Sequence, residues 1–222
     1  MMQDYILRVA NVSKSFKEGR ALEDISFTAR SGTVTGFVGH NGSGKTVLFK
    51  CICGFYAVSK GKITINNKIV GIGEEMPRNI AFTIEEPAFQ GEYSGRRNLE
   101  FLYTLRHKKD PAYIKEIMEA VKLDYASTKK VSKYSLGMKQ RLAIAQVLME
   151  DMPILIMDEP MNGLDRNGIQ EVRDLLMKEK EKGKIILLAS HNSADIDYLC
   201  DTVYELENGK IITTRSYSDV KK

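Results

Sequence analysis

Residues 39–46, GHNGSGKT, constrain the fold more than any other stretch of the sequence, because they fit the pattern G-x-x-x-x-G-K-[ST]. An apolar stretch, TVTGFV, precedes them, and a helix-forming stretch that begins at Lys45 follows. Glycines let such a loop fold with successive backbone N–H groups pointing at phosphate oxygens, and the helix N-terminus adds its dipole and free donors. The loop therefore predicts a triphosphate site between a strand and a helix.

The residue types in this loop suit the parts of a triphosphate. Lys45 is expected to reach the β and γ phosphates, and the hydroxyl of Thr46 is expected to bind Mg²⁺. An ordinary glycine-rich turn is the first alternative to a phosphate site, but it explains the flanking strand and helix less well than a phosphate loop does. A dinucleotide-binding fingerprint is the second, and it would need a third glycine where Val47 stands. The predicted phosphate-binding residues are Gly39, His40, Asn41, Gly42, Ser43, Gly44, Lys45 and Thr46.

Composition and charge exclude several classes of protein. With 222 residues, 43% of them hydrophobic, the chain can bury a sizeable core, and no apolar run approaches the roughly 20 residues that cross a bilayer. Asp4 and Arg8 stand where a secretion signal needs an apolar segment. The three cysteines match no zinc or redox motif, which favours reduced thiols in the cytosol. The net charge of +4 is mild, and no dense basic segment predicts a nucleic-acid partner.

Apolar periodicity divides the chain into strand-rich ends and a helical middle. Strand-like runs such as ILRVANV, DISFTA, KITINNK and NIAFTI surround the loop, and PILIMD and IILLAS follow the helical part. Asp110 and Pro111 are the predicted N-cap and first residue of one of the helices. We therefore predict an α/β core made of segments 1–89 and 150–222, with a helical insertion at 90–149. Elements should end or turn at glycine in three places: Gly54, Gly183 and Asn208-Gly209.

Two acids and a histidine follow apolar strands at what should be one edge of the sheet. The run ILIMDE ends in Asp158 and Glu159, and IILLAS ends just before His191. Ligands of open α/β sheets bind at the carboxyl ends of the strands. We expect Asp158 to hold Mg²⁺, Glu159 to position or activate a water for attack on the γ-phosphate, and His191 to sense that phosphate. Taken alone, the acids could cap a strand and the histidine could be structural.

Five motifs stand in one order: the phosphate loop, YSLGMKQR at 134–141, LIMDEP, NGLD at 162–165 and SH at 190–191. Together they resemble the ATP-binding subunit of ABC transporters over nearly the whole chain. The resemblance implies an α/β fold with a P-loop NTPase (RecA-like) core, an N-terminal antiparallel β subdomain and an inserted helical subdomain. It also implies ATP and Mg²⁺ as cofactors and ATP hydrolysis coupled to transport, with Glu159, His191 and Lys45 as catalytic residues.

The signature stretch of this family, here YSLGMKQR, binds the ATP of a second subunit, so that two chains close head to tail around two nucleotides. The resemblance assigns contacts across that dimer to Ser135, Gly137 and Asp165. A hydroxyl and a glycine N–H at a helix start suit phosphate, although Ser135 and Asp165 could also be simple helix caps. The sequence departs from the family's L-S-G-G-Q, with Leu136 at the first glycine and Met138 at the glutamine.

Two further site residues follow from the resemblance. Phe16 occupies the place of the aromatic residue that stacks on adenine, usually tyrosine, although it could be ordinary core. Glu85 occupies the place of the usual glutamine between a strand and the helical block, where it would offer Mg²⁺ a charged oxygen. It could instead be a loop residue that points to solvent.

The resemblance also implies two partner chains, a separate membrane permease and a second ATP-binding subunit, either identical or different. It places the chain in the cytoplasm, peripheral on the inner face of the cell membrane through the permease. The form YSLGMKQRL, with IEEPAF upstream, resembles most the subunits of bacterial ABC-2-type exporters, which favours export and leaves the cargo open. The alternatives are a soluble ABC ATPase without a membrane partner and a P-loop small-molecule kinase. A soluble ABC ATPase of the repair type should carry a long coiled-coil insertion, and one of the translation type normally holds two ATPase units; the sequence shows neither. A kinase would need an acceptor site and a lid, and it would not need YSLGMKQR.

Overall fold

The computed structural model describes residues 4–71, 77–85 and 88–217. The strands are β1 (Ile6–Phe16), β2 (Gly19–Arg30), β3 (Val34–Val38), β4 (Lys60–Ile65), β5 (Lys68–Val70), β6 (Ile80–Thr83), β7 (Ile154–Asp158), β8 (Ile185–Ala189), β9 (Thr202–Glu207) and β10 (Lys210–Ser216). The helices are α1 (Lys45–Ile52), α2 (Gly95–Thr104), α3 (Pro111–Ala120), α4 (Leu136–Met149), α5 (Arg166–Glu181) and α6 (Ser193–Leu199), and a 3₁₀ helix spans Val131–Lys133. No helix within these ranges is long and apolar enough to span a membrane.

The N-terminal strands form an antiparallel sheet in the order β2-β1-β4-β5, as the resemblance implies. Asn66 and Asn67 have positive φ angles of 47° and 66° and join β4 to β5, with Ile65 paired to Lys68. The predicted strand-like run KITINNK is confirmed up to Ile65 and was wrong at Asn66 and Asn67. Asparagine tolerates the left-handed backbone of a two-residue hairpin turn, and here the turn interrupts the strand pattern.

The second sheet has the order β10-β9-β3-β8-β7-β6 and is parallel except for the hairpin of β9 and β10. The runs VTGFV, ILIMD and IILLA of β3, β7 and β8 are almost entirely buried, as expected for strands covered on both faces. Phe37 and Asp158 both pair with Ala189. The carboxyl ends of these three strands therefore lie side by side, at the edge that the sequence predicts for the site.

Aromatic contacts fix the two sheets and α1 against one another. The ring of Phe37 in β3 lies 5.1 Å from Phe27 in β2, 5.5 Å from Phe49 in α1 and 5.7 Å from Tyr204 in β9, measured between centroids. Such pairs contribute about 0.5–1.5 kcal/mol each beyond the burial of their apolar area. This packing holds the phosphate loop, which connects β3 to α1, at a fixed place on the sheet.

The helix ends follow their capping residues. The predicted N-cap of α3 is confirmed, because Asp110 accepts a hydrogen bond from the backbone N–H of Tyr113 at 3.0 Å. Gly54 follows the end of α1 with a φ angle of 80°, as expected of glycine after a helix. The α-helices α2, α3 and α4 lie in sequence between β6 and β7. The division of the chain at residues 90 and 149 stays a prediction.

Helix α6 was not predicted from the sequence. Its seven residues, SADIDYL, carry no apolar periodicity long enough to indicate a helix. The structure anchors it through Asp195, which is 1% exposed and lies 2.6 Å from a guanidinium nitrogen of Arg173 in α5. A contact between residues distant in sequence therefore decides the conformation of this segment.

Candidate nucleotide-binding site

A cavity of about 690 Å³ opens at the carboxyl edge of the parallel sheet. Its walls combine residues 41–46 of the phosphate loop with Asp158 and Glu159 at the end of β7 and Glu85 after β6. The size is that of a pocket for a small molecule. The opposite wall belongs to the start of α4, which contributes Leu136 and Gln140. The structure thus brings the predicted phosphate, metal and base residues to one place.

The phosphate loop needs its glycines for steric reasons. Gly39 and Gly44 have positive φ angles of 151° and 109°. A Cβ atom at Gly39 would overlap the carbonyl oxygen of Leu206, and a Cβ atom at Gly44 would lie 2.9 Å from a side-chain carbon of Leu22. Larger residues would therefore displace the loop from the sheet and change the direction of its N–H groups.

Lys45 is buried within this loop, with 8% of its surface exposed. Its Nζ donates hydrogen bonds to the carbonyl oxygens of Gly39 at 2.6 Å and His40 at 3.1 Å. The loop thus holds a fixed positive charge close to the N-terminus of α1, where the helix dipole adds positive potential. This arrangement suits an anion with several oxygens, as the sequence predicts.

Two oxygens at the start of α1 and the end of β7 suit a divalent cation. The hydroxyl of Thr46 donates to Oδ2 of Asp158 at 2.8 Å. Burial raises the pKa of Asp158, the Thr46 hydrogen bond opposes that rise, and the charge of Glu159 adds to it. The described residues contain no cluster of three or more metal-ligating side chains. Mg²⁺ commonly binds with one or two carboxylates and completes its shell with phosphates and water, so this donor set fits it.

Glu159 and His191 contact each other next to this pair. Oε2 of Glu159 lies 2.8 Å from Nδ1 of His191 and 3.4 Å from the backbone nitrogen of His191. The backbone of Glu159 has a φ angle of 53°, which is uncommon for a residue other than glycine and is held by a bond to the carbonyl oxygen of Ala189. The strained turn points the carboxylate into the cavity edge, where a base would act.

Glu85 lies at the cavity but engages a residue that the sequence did not indicate. Its Oε1 accepts a hydrogen bond from Nζ of Lys50 in α1 at 2.6 Å, and its side chain is 61% exposed. The contact raises the pKa of Lys50. Two residues of the IEEPAF motif, Glu86 and Pro87, lie outside the described residues.

Comparisons with known proteins decide the family. A family model described as ABC transporter matches residues 22–162, more than half of the chain. This chain belongs to the ABC transporter family. The uncharacterized ABC transporter ATP-binding protein YybJ of Bacillus subtilis is 36% identical over 209 residues, which cover 94% of this chain and 96% of that protein. The bacitracin transport ATP-binding protein BcrA of Bacillus licheniformis is 33% identical over 221 residues, 98% of this chain and 72% of that protein.

A solved structure of an ATP-binding subunit of an ABC transporter has a TM-score of 0.86 at 27% identity, and the match covers 97% of this chain and 92% of that chain. The predicted family and fold class are confirmed. The protein is an ABC transporter ATP-binding subunit and an ABC ATPase.

The ABC signature stretch makes contacts within the chain in this structure. Oγ of Ser135 accepts a hydrogen bond from the backbone N–H of Met138 at 3.2 Å, and Asp165 accepts one from Gly168 at 2.8 Å. Both residues therefore cap the helices that follow them. A Cβ atom at Gly137 would lie 3.0 Å from the carbonyl oxygen of Gly163, so the signature and the NGLD motif pack closely. Their contacts with a second subunit stay a prediction.

Phe16, the predicted adenine-stacking residue of this ABC ATPase, is 38% exposed and does not line the cavity. Its ring lies 5.2 Å from the ring of Tyr56 in an edge-to-face arrangement, and Nζ of Lys14 lies 4.7 Å from its centroid. Tyr56 and Lys50 are site neighbours that sequence reasoning missed. Their only sequence signal is their position on or just after the helix that carries Lys45.

Proposed function

We propose that this ABC transporter ATP-binding subunit hydrolyses ATP with Mg²⁺ at residues 39–46 and drives a separate membrane permease, in the direction of export. The observation that carries the proposal is a pair of contacts at the end of β7. Asp158 accepts a hydrogen bond from Thr46, and the carboxylate of the next residue, Glu159, contacts the ring of His191. The relative named for bacitracin transport supports a role in transport. The likeness of YSLGMKQRL to ABC-2-type exporters favours export.

The phosphate loop would bind ATP by exchanging contacts. The ammonium of Lys45 would leave the carbonyl oxygens of Gly39 and His40 for β and γ phosphate oxygens, which are stronger acceptors because they are charged. Backbone N–H groups of the loop and of the start of α1 would take the remaining oxygens. The half-exposed ring of Phe16 would stack on the adenine.

The residues at the end of β7 would perform the hydrolysis. Thr46 and Asp158 would hold Mg²⁺, which supplies charge neutralisation on the transferred phosphoryl group. Glu159 would position the attacking water and accept its proton. The 2.8 Å contact with His191 would orient the Glu159 carboxylate for that task, and the histidine would then contact the γ-phosphate. If His191 were purely structural, its replacement would leave the rate of the chemical step unchanged.

A second ATP-binding subunit, identical or different, would complete the site. The start of α4 carries exposed Ser135 and Leu136 and the half-buried Gly137, so its hydroxyl and N–H groups can be reached from outside. In a head-to-tail dimer these groups and Asp165 would contact the ATP of the partner. Hydrolysis would remove the γ-phosphate contacts and open the dimer.

The membrane permease would contact an apolar groove between β6, α2 and the end of α4. Leu105, 68% exposed, lies in this groove with Phe82 and Met149, and Phe101 on α2 is 59% exposed. Strand β6 forms one wall and leads within two residues to Glu85 in the nucleotide cavity, which would link the permease contact to the nucleotide site. Contact there would place the chain in the cytoplasm, peripheral on the inner face of the cell membrane.

The experiment compares Glu159→Gln with Glu100→Gln, because the side chains of Glu159 and Glu100 are similarly exposed, at 26% and 24%. We expect Glu159→Gln to bind ATP, to hydrolyse it about 10²–10⁴ times more slowly, and to shift toward dimer in light scattering when ATP is added. Glu100→Gln should match the parent. Unchanged turnover in Glu159→Gln would assign the base elsewhere.

The permease contact has its own test in co-purification with a polytopic membrane protein. Leu105→Asp should lose that protein, whereas Ile69→Asp, also an exposed apolar residue at 56%, should keep it. Loss in neither variant would remove this groove from the contact. A chain that recovers no membrane protein in any form would support the soluble ABC ATPase instead.

A further inference from the structure

Lys50 and Glu85 form an ion pair at the edge of the nucleotide cavity. Nζ of Lys50 lies 2.6 Å from Oε1 of Glu85, and the contact joins α1 to the loop that follows β6. The lysine side chain is 21% exposed, whereas the glutamate side chain is 61% exposed. The stem of the lysine therefore packs on the protein, and its ammonium holds the carboxylate of a largely solvated side chain.

Lys50 also lies on α1, the helix that carries Thr46, a proposed ligand of Mg²⁺. It follows Thr46 by four residues on α1, so the two side chains lie on one face of the helix. The hydrogen bond to Glu85 is the main cause that raises the pKa of Lys50, and Asp158 makes a smaller contribution in the same direction. Both carboxylates therefore favour the charged form of the Lys50 ammonium.

Glu85 would otherwise add a third carboxylate to a site for a polyanion. Its charge already contributes to the raised pKa of Asp158. A free carboxylate beside the phosphates of metal-free ATP would be repelled, because like charges at short range interact unfavourably. Lys45 is engaged within the phosphate loop by two carbonyl oxygens. Lys50 is the cation that contacts Glu85 directly.

We propose that Lys50 is a positioning residue that holds the carboxylate of Glu85 away from bound ATP until Mg²⁺ is present, so that the site accepts the nucleotide without the metal. The inference rests on the proposed function, since it requires ATP and Mg²⁺ at this site. Release of Glu85 from Lys50 frees its carboxylate to face the metal beside Thr46 and Asp158.

The test is the ratio of dissociation constants for the non-hydrolysable analogue AMPPNP in EDTA and in excess Mg²⁺, measured by calorimetry at fixed ionic strength. In Lys50→Met the freed glutamate should weaken metal-free binding, so the ratio should rise about threefold to tenfold over the parent. Lys50→Arg, which keeps the charge, should restore the parent ratio. Lys115→Met breaks an exposed lysine–glutamate pair on α3 and should leave the ratio unchanged.

A second background separates positioning from simple loss of a positive charge. If Lys50 acted only through its positive charge, its loss would weaken AMPPNP binding whether or not Glu85 is present. If Lys50 acts by positioning Glu85, the effect requires the Glu85 carboxylate. Lys50→Met should therefore raise the ratio much less when added to Glu85→Gln than when added to the parent chain. Methionine keeps the apolar stem of lysine, and a thermal melt of each variant checks the fold.

The outcomes distinguish this inference from the proposed function. If the parent binds AMPPNP with Mg²⁺ but Lys50→Met changes the ratio equally in both backgrounds, Lys50 acts only as a charge and the inference is wrong. The inference is also wrong if Lys50→Met leaves the ratio unchanged in the parent chain. If the parent does not bind AMPPNP under either condition, the proposed function itself is wrong.

Discussion

Replacement of Thr46 by valine tests the metal side of the site through the stability of the free protein. The two side chains have nearly the same shape, so the change removes one hydroxyl and little packing. That hydroxyl donates to Oδ2 of Asp158 at 2.8 Å, in a place where burial already raises the pKa of the carboxyl group. Thr46→Val therefore leaves a partly buried carboxylate with less support, while Thr46→Ser keeps the donor.

The expected loss follows from the type of hydrogen bond. A bond to a charged group contributes about 1.5–3 kcal/mol to the free energy of unfolding, against a total of about 5–15 kcal/mol for a domain. The hydrogen bond lowers the pKa of Asp158 in the folded protein and so stabilises the ionised form. Its contribution is present where Asp158 is ionised and disappears as the pH falls through the pKa of the folded state. The penalty of Thr46→Val should therefore be largest near pH 7 and should shrink in acid.

Urea unfolding followed by circular dichroism measures this penalty, because the sequence contains no tryptophan for fluorescence. With an m-value of about 2–3 kcal/mol/M, the midpoint near pH 7 should fall by about 0.5–1.5 M in Thr46→Val and by much less in Thr46→Ser. An equal penalty at every pH, or an equal loss in both variants, would refute the role of the Thr46 hydroxyl as the donor to an ionised Asp158.

Two other predictions concern the Mg²⁺ dependence of ATP binding and the stability of α6. ATP binding to the parent should depend on Mg²⁺ more than binding to Glu85→Gln, because a glutamate released from Lys50 offers the metal a charged oxygen. Equal dependence in affinity measurements would remove Glu85 from the metal site. Arg173→Met should lower the free energy of unfolding by about 3–5 kcal/mol, because it leaves Asp195 charged at 1% exposure, and adding Asp195→Leu should recover much of that loss. Equal stability of the parent and Arg173→Met in urea would contradict that account of α6.

Features with a local cause could be predicted from the sequence, and features that depend on distant contacts could not. The phosphate loop, the strand ends at Asp158 and Ala189 and the N-cap Asp110 are each specified by residues within a few positions. The turn at Asn66 also has a local signal, but the apolar run around it favoured one strand. By contrast, α6 and the pair of Lys50 with Glu85 depend on residues 22 and 35 positions apart. The proposed contacts of Ser135 and Asp165 with a second subunit depend on a chain other than this one.

The site as a whole shows the same division. The sequence order of motifs predicted that Lys45, Thr46, Asp158, Glu159 and His191 would meet, because strand ends of a parallel sheet share one edge. It did not predict what their side chains would contact. Only the structure shows the hydrogen bond between Thr46 and Asp158 and the contact between His191 and Glu159. It also shows the neighbouring residues Lys50 and Tyr56.

Release of phosphate from ATP by the purified chain, compared between the parent and Lys45→Ala, tests the central claim most directly. The ammonium of Lys45 is the buried charge of the phosphate loop, and alanine leaves the β and γ phosphates without it. We expect the parent to hydrolyse ATP in the presence of Mg²⁺. Lys45→Ala should hydrolyse it at least about a hundredfold more slowly, because one charge contact of this kind contributes several kcal/mol in a partly buried site. Turnover by Lys45→Ala at the rate of the parent would contradict the assignment of residues 39–46 as the catalytic nucleotide site.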